Sequence, residues 1–157
     1  MATAILRPKL PQFQPLLNRV DAWDGIETTP HQYFALGFEW RGAEIGHLHA
    51  NGMLDMPLPK KLHDLLLDQG DVVIHPYRPD SGWATYHVNG SDDFDHAAKL
   101  LRLAYLHRRL VKRDATFDVD TLDAELDALD ASDAVRTFFA PLADRFRAST
   151  PQPAPSA

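Results

Sequence analysis

The sequence predicts an α+β domain, a mostly antiparallel sheet with helices packed on one face, followed by a C-terminal helical extension. Three observations carry this expectation. Apolar residues recur at helical spacing near 16–23, 59–66 and 94–111. The residues between are short β-rich runs punctuated by turn pairs such as Arg41-Gly42 and Asn51-Gly52. After residue 113 the chain turns acidic, with leucines again at helical spacing. The heart of the fold is expected at about 30–112.

Taken in order, residues 1–15 carry Pro8, Pro11 and Pro15, each without an N–H and with a fixed φ, so order is expected to begin after them. Pro15 suits a first helical turn, Leu16, Leu17, Val20 and Trp23 form a stripe, and Gly25 ends it. Tyr33–Trp40 and Ala43–His49 read as strands joined at Arg41-Gly42. Asn51-Gly52 then favours a two-residue type I′ hairpin. Counting outward, His49 faces Leu54, Leu48 faces Asp55 and His47 faces Met56. His47, His49, Ile45, Leu54 and Met56 therefore share one face, with Asp55 on the other.

Pro59 begins a helix bearing Leu62, Leu65 and Leu66, stopped by Gly70. Val72–His75 reads as a buried strand and Trp83–Val88 as another. Ser91 caps the longest helix, with Asp92, Asp93 and Asp95 at its positive end and Arg108, Arg109, Lys112 and Arg113 at its negative end. Phe94, Ala97, Leu101, Ala104, Tyr105 and Val111 face inward. Eight acidic residues and no Lys or Arg lie between Asp114 and Asp133, with Leu122, Leu126 and Leu129 as an apolar stripe: a helix with a hydrated face. Ser132 caps a last helix with Val135, Phe138, Phe139, Leu142 and Phe146, which Pro141 is expected to kink or split. The expected division is 1–24 as N-terminal extension and short helix, 25–113 as core, 114–148 as helical extension and 149–157 as a disordered tail.

The 157 residues include 22 Asp+Glu against 16 Lys+Arg, a net charge of −6, and no Cys. Disulfides, Cys-ligated metals and a Cys nucleophile are excluded. The negative balance speaks against gripping phosphate backbones, so no nucleic-acid partner is expected. The apolar run Ala2–Leu6 is too short for a signal-peptide core, and no run approaches a membrane span, so a cytoplasmic protein without a membrane partner is expected.

The chemistry centres on His47 and His49, since an i, i+2 pair on a strand points both imidazoles the same way. Among Ile45, Leu54 and Met56 they describe a mostly apolar pocket with a few polar groups. The plainer alternative is two histidines bonded to backbone at the edge of a core. A metal reading takes His75 as third ligand, with Glu44 or Glu39 as outer acceptor. Asp55 joins only after a one-residue register slip. Trp83 is either a buried strand anchor or a pocket wall. His63 and His96 are placed on helix surfaces, and His31, His87 and His107 lack an organised context. Ser81 and Ser91 lack a nucleophile elbow, phosphate-binding Gly loops are missing, and the acidic segment lacks calcium-loop spacing.

Glu44-Ile45-Gly46-His47-Leu48-His49, then Leu54-Asp55-Met56-Pro57-Leu58-Pro59, Gly70, His75-Pro76, Gly82-Trp83 and Leu100-Leu101-Arg102-Leu103-Ala104-Tyr105 together form a recognisable order. Over about 25–110 the chain resembles the luciferase-domain family, small bacterial and fungal proteins that include the fungal luciferase acting on 3-hydroxyhispidin. The resemblance implies oxygen addition to a hydroxypyrone-like compound with no cofactor and no metal. It implies that His47 or His49 removes an enol proton, that His75 orients the substrate, and that Leu54, Met56 and Trp83 bind it and exclude water. Light emission is not expected, because a shared fold does not transfer a reaction.

Four functional readings follow. The first is a cofactor-independent oxygenase on an enolisable aromatic or pyrone-like small molecule, with His47, His49 and His75 catalytic; its alternatives here are a non-catalytic module for a small ligand or protein, and a His-ligated metal-dependent enzyme. In a further reading the C-terminal helices present Phe138, Phe139 and Phe146 to a partner or a second copy, giving a homo-oligomer.

Overall fold

A computed structural model describes residues 9–149. Two compact units make it up, one running through Tyr105 and the other from Leu106.

In the first unit, Pro11–Phe13 is a 3-10 turn and α1 spans Gln14–Asp21, with Pro15 in its first turn, where a missing N–H costs nothing. Leu16, Leu17 and Val20 are buried as expected, and Gly25, at φ 77, lets the chain leave toward the sheet. The strands are β1 (Ile26–His31), β2 (Ala35–Trp40), β3 (Ala43–Leu48), β4 (Met53–Pro57), β5 (Val73–Ile74) and β6 (Trp83–His87). They form one sheet in the order β1-β2-β3-β4-β6-β5 with every neighbouring pair antiparallel, which is the predicted α+β architecture. Helix α2 (Lys60–Asp68) links β4 to β5, and α3 (Phe94–Val111) follows β6.

One face of the sheet is core. Leu36, Phe38, Leu48, Leu54, Met56 and Ala84 share it through the cross-strand register, and all are fully buried. Gly46 lies on this face where α3 comes closest: a Cβ there would sit 2.7 Å from Leu101 Cδ2. The missing side chain is what lets helix and sheet touch. Phe13 against Phe94, and Tyr105 donating to Asp24 O at 2.6 Å, tie α1 and its exit loop to α3.

Several expectations are corrected. Tyr33 and Phe34 are not strand. Both take left-handed backbone near φ 60 in the turn between β1 and β2, and their rings are exposed. Val72 and His75 are buried, but β5 between them is an exposed two-residue edge strand. Val111 is exposed, while His63, expected on a helix surface, is buried at 1%. Ser91 does not cap α3. It opens a 3-10 turn without a side-chain cap, and Asp93 instead accepts the Asn89 N–H at 2.8 Å.

In the second unit the predicted acidic helix takes up only part of the 114–133 segment. Arg109 pairs with Asp114 at 2.7 Å in the turn after α3, Asp118 caps the turn at 119–121, and α4 covers only Leu122–Ala128. Ser132 Oγ accepts the Val135 N–H at the start of α5 (Asp133–Ser149), which runs unbroken through Pro141, so the expected split does not occur. Phe138, Phe139 and Phe146 are buried within this unit. Pro8 and residues 150–157 of the expected tail lie outside the described residues. No helix among the described residues is long and apolar enough to cross a membrane.

Candidate active site

The turn at Asn51-Gly52 decides which side chains meet. The Gly52 N–H donates to His49 O and the His49 N–H to Met53 O, both at 2.9 Å, so the loop has three residues, Ala50–Gly52, with Gly52 at φ 93. A three-residue loop closed by a left-handed glycine is the next commonest hairpin connection after the two-residue one predicted. Gly52 O also accepts the Val88 N–H at 2.8 Å, anchoring the loop to the end of β6. The register therefore moves by one residue, Leu48 opposite Leu54 and His47 opposite Asp55.

That shift exchanges the expected faces. Leu54 and Met56, expected as substrate-binding residues beside the histidines, point into the core. Asp55 takes their place, directly across from His47. A second irregularity adds Glu44. Phe38 pairs with Gly46 but Glu39 pairs with Glu44, so Ile45 is an extra residue in β3. This bulge turns Glu44 to the side of His47, which plain alternation would not do.

The resulting cluster is tightly connected. Asp55, 2% exposed, accepts at Oδ2 from His47 Nε2 (3.2 Å) and His49 Nε2 (3.1 Å), and at Oδ1 from Thr85 Oγ1 (2.6 Å). His75 Nε2 lies 3.5 Å from the same Oδ2. His47 Nδ1 donates to Glu44 Oε1 at 2.6 Å, and His31 Nε2 approaches that oxygen at 3.3 Å while its ring stacks on His47 at 4.1 Å. Trp83 stands 5.4 Å from His47 and 6.1 Å from His75, ring centre to ring centre. Arg78 reaches over its ring. The Tyr77 N–H donates to His75 Nδ1 at 3.1 Å, so the proton of that neutral ring sits on Nε2.

Burial pulls the pKa of His47 down, but the hydrogen bonds and charges of Asp55 and Glu44 outweigh it and raise the value to about 9. His49 moves the other way, lowered by burial and then by the charge of His47. For Asp55, burial favours the neutral acid, yet the bonds from His47 and Thr85 and the nearby imidazoles hold it down at about 2. The site thus sets a carboxylate and an imidazolium beside an imidazole held neutral.

Residues 42–104 match the Luciferase domain family. Over that span the chain is similar to the luciferase domain. The comparison with curated proteins returned no match, and neither did that with solved structures. The matched span holds Glu44, His47, His49, Asp55, His75, Trp83 and Thr85, so nearly all of the cluster lies within the stretch that is similar to that domain, while His31 lies ahead of it.

Of the expected site residues, the sheet and its loops bring together His47, His49, His75 and Trp83. Glu44, not Glu39, is the outer acceptor for His47. His31 acquires the context it lacked in sequence, and Thr85 enters without any signal, as the residue across from Asp55 on β6. Among the described residues two groups could hold a cation: His47, His49 and Asp55, and more openly His31, Glu44 and His47. In each, one ligand atom per residue lies within 4.8 Å of the others.

Proposed function

We propose that this chain is a small-molecule enzyme of the oxygenase type, which takes up an enolisable aromatic or pyrone-like compound as its enolate at His47, His49, Asp55 and His75 and emits no light. The observation that supports this most is the gathering of three imidazole Nε2 atoms about one oxygen of a buried carboxylate. Burying such a group costs several kcal/mol before pairing offsets it, and apolar residues of similar volume would join β3 to β4 at least as well. The cluster stands on adjacent strands, which fix its geometry, and the His49 side chain, 22% exposed, is open to an incoming compound.

In this reading the enolic O–H gives up its proton at the cluster, and the enolate carbon attacks molecular oxygen, the oxidant. A C–O bond forms, and the resulting peroxide anion takes a proton back to give the hydroperoxide. Trp83 offers a flat apolar wall for the ring, and the Nε2–H of His75 donates toward substrate oxygen and orients it. Oxygen uptake tests this with maltol and other hydroxypyrones. The wild type consumes oxygen with at least one of them, and His49→Ala loses at least a hundredfold in rate while its melting temperature stays within a few degrees. A wild type that binds these compounds without consuming oxygen is a binding module, and the proposal then fails.

A further inference from the structure

We propose that His47 and His49, through Nε2, and Asp55, through Oδ2, hold a divalent transition-metal ion whose remaining positions are open to a chelating enolate and to oxygen. The inference rests on the oxygenase reading of this face and names what holds the enolate there.

Four observations carry it. Metal–ligand bonds of about 2.0–2.2 Å at angles between octahedral and tetrahedral set ligand atoms about 3.0–3.5 Å apart. The two nitrogens stand 3.2 and 3.1 Å from the carboxylate oxygen, already at that spacing. Next, two imidazoles and one carboxylate with open positions are the donor set suited to Fe(II) in oxygenases, whereas a closed set of thiolates or four imidazoles is not. Both inner ligands with a second polar contact are also braced from outside. Glu44 accepts from His47 Nδ1 at 2.6 Å, which turns Nε2 toward the ion, and Thr85 donates to Asp55 Oδ1 at 2.6 Å, which leaves Oδ2 as the ligand. Finally, the structure separates ligand from neighbour. His47 and His49 release to solvent the Nε2 protons they donate to Asp55 as the ion enters, each keeping a proton on Nδ1, whereas His75 accepts the Tyr77 N–H at Nδ1, so its Nε2, 3.5 Å from Asp55 Oδ2, keeps its proton. His75, the third ligand expected from sequence, thus gives way to Asp55. The second donor group, His31, Glu44 and His47, needs the His47 nitrogen that Glu44 already holds and lacks a buried carboxylate.

An ion so placed selects compounds whose enol hydroxyl adjoins a carbonyl, because both oxygens reach its open positions. As they bind, the enol O–H bond breaks, the oxygen binds the ion and the proton passes to solvent. His49 then serves as ligand.

The test uses the tag-free full chain, stripped with a chelator and titrated with Co²⁺, whose visible spectrum reports coordination, and with Fe²⁺ under anaerobic conditions. One ion per chain is expected. His49→Ala and Asp55→Asn abolish binding, Glu44→Gln weakens it about 10–100-fold, and His75→Ala binds within a few-fold of wild type. Thermal melts confirm folding, and if Asp55→Asn does not fold, the partly exposed His49 position decides. No binding at millimolar Co²⁺, or loss of binding in His75→Ala equal to that in His49→Ala, overturns the assignment. Undiminished oxygen uptake by the stripped protein also overturns it and leaves the oxygenase reading standing. A stoichiometric ion with no uptake of oxygen across the hydroxypyrones does the reverse.

Discussion

Gly52→Ala bears on what aligns the site, because the turn that Gly52 closes sets His47 opposite Asp55. At φ 93 an alanine carries a left-handed penalty of about 1 kcal/mol. Its Cβ would also stand 2.1 Å from Val88 O. Relief requires the loop to move off β6, which disturbs the Val88 N–H to Gly52 O bond, worth about 1 kcal/mol. Residual overlap adds about 1–3 kcal/mol. The expected cost is about 3–5 kcal/mol, read as a shift in urea midpoint at unchanged slope. Two controls separate the terms. Gly42 has φ 78 and open space where a Cβ would go, so Gly42→Ala isolates the conformational cost at about 1 kcal/mol. Gly90, extended and equally open, costs no more than about 0.5 kcal/mol. If Gly52→Ala costs no more than Gly42→Ala, the contact with Val88 does not fix the turn and the reasoning about register fails.

Three further outcomes are expected. Gly46→Ala, whose Cβ meets Leu101, Asp55 O and Met56 within 3.2 Å, destabilises by about 1–3 kcal/mol in the same denaturation assay; a neutral effect contradicts the close approach of α3. Thr85→Val leaves Asp55 Oδ1 without its donor and costs about 1–3 kcal/mol, whereas the partly exposed Thr29→Val stays within about 0.5, and equal costs refute the Thr85 contact. His107, which packs on Phe138, is held down at about 4 by burial and then by the charge of Arg108. Above about pH 6.5 it is neutral folded and unfolded; as pH falls from there to about 4 the unfolded chain binds the proton first, so stability drops, by at most about 3 kcal/mol. His107→Gln flattens that part of the profile, and an identical acid slope in both proteins rules the assignment out.

Much of the fold was legible because local chemistry agrees with it. Pro15, Gly25, Pro59 and Gly70 bracket helices where they were read, and the apolar stripe of α3 is buried from Phe94 to Tyr105. The site was half legible. The i, i+2 spacing of His47 and His49 is a property of any strand and survives every register. Their partners depended on whether Asn51-Gly52 closes a loop of two or three residues, and the same dipeptide serves both. Val88, distant in sequence, decides it. The bulge at Ile45 that delivers Glu44 leaves no periodic trace. His31 stayed hidden because Tyr33 and Phe34, residues that seldom take positive φ, make its turn. Pro141 misled because an internal proline usually kinks or breaks a helix, yet α5 continues through it with that residue exposed.

Imidazole ¹⁵N resonances of the full chain, followed during anaerobic titration with maltol, test most directly whether this face is where a small molecule acts. His47, His49 and His75 are expected to shift together and saturably, while His107 in the second unit and His96 beside Tyr86 stay in place. Saturable shifts confined to His96 or His107, with the cluster at Asp55 unmoved, would contradict that expectation.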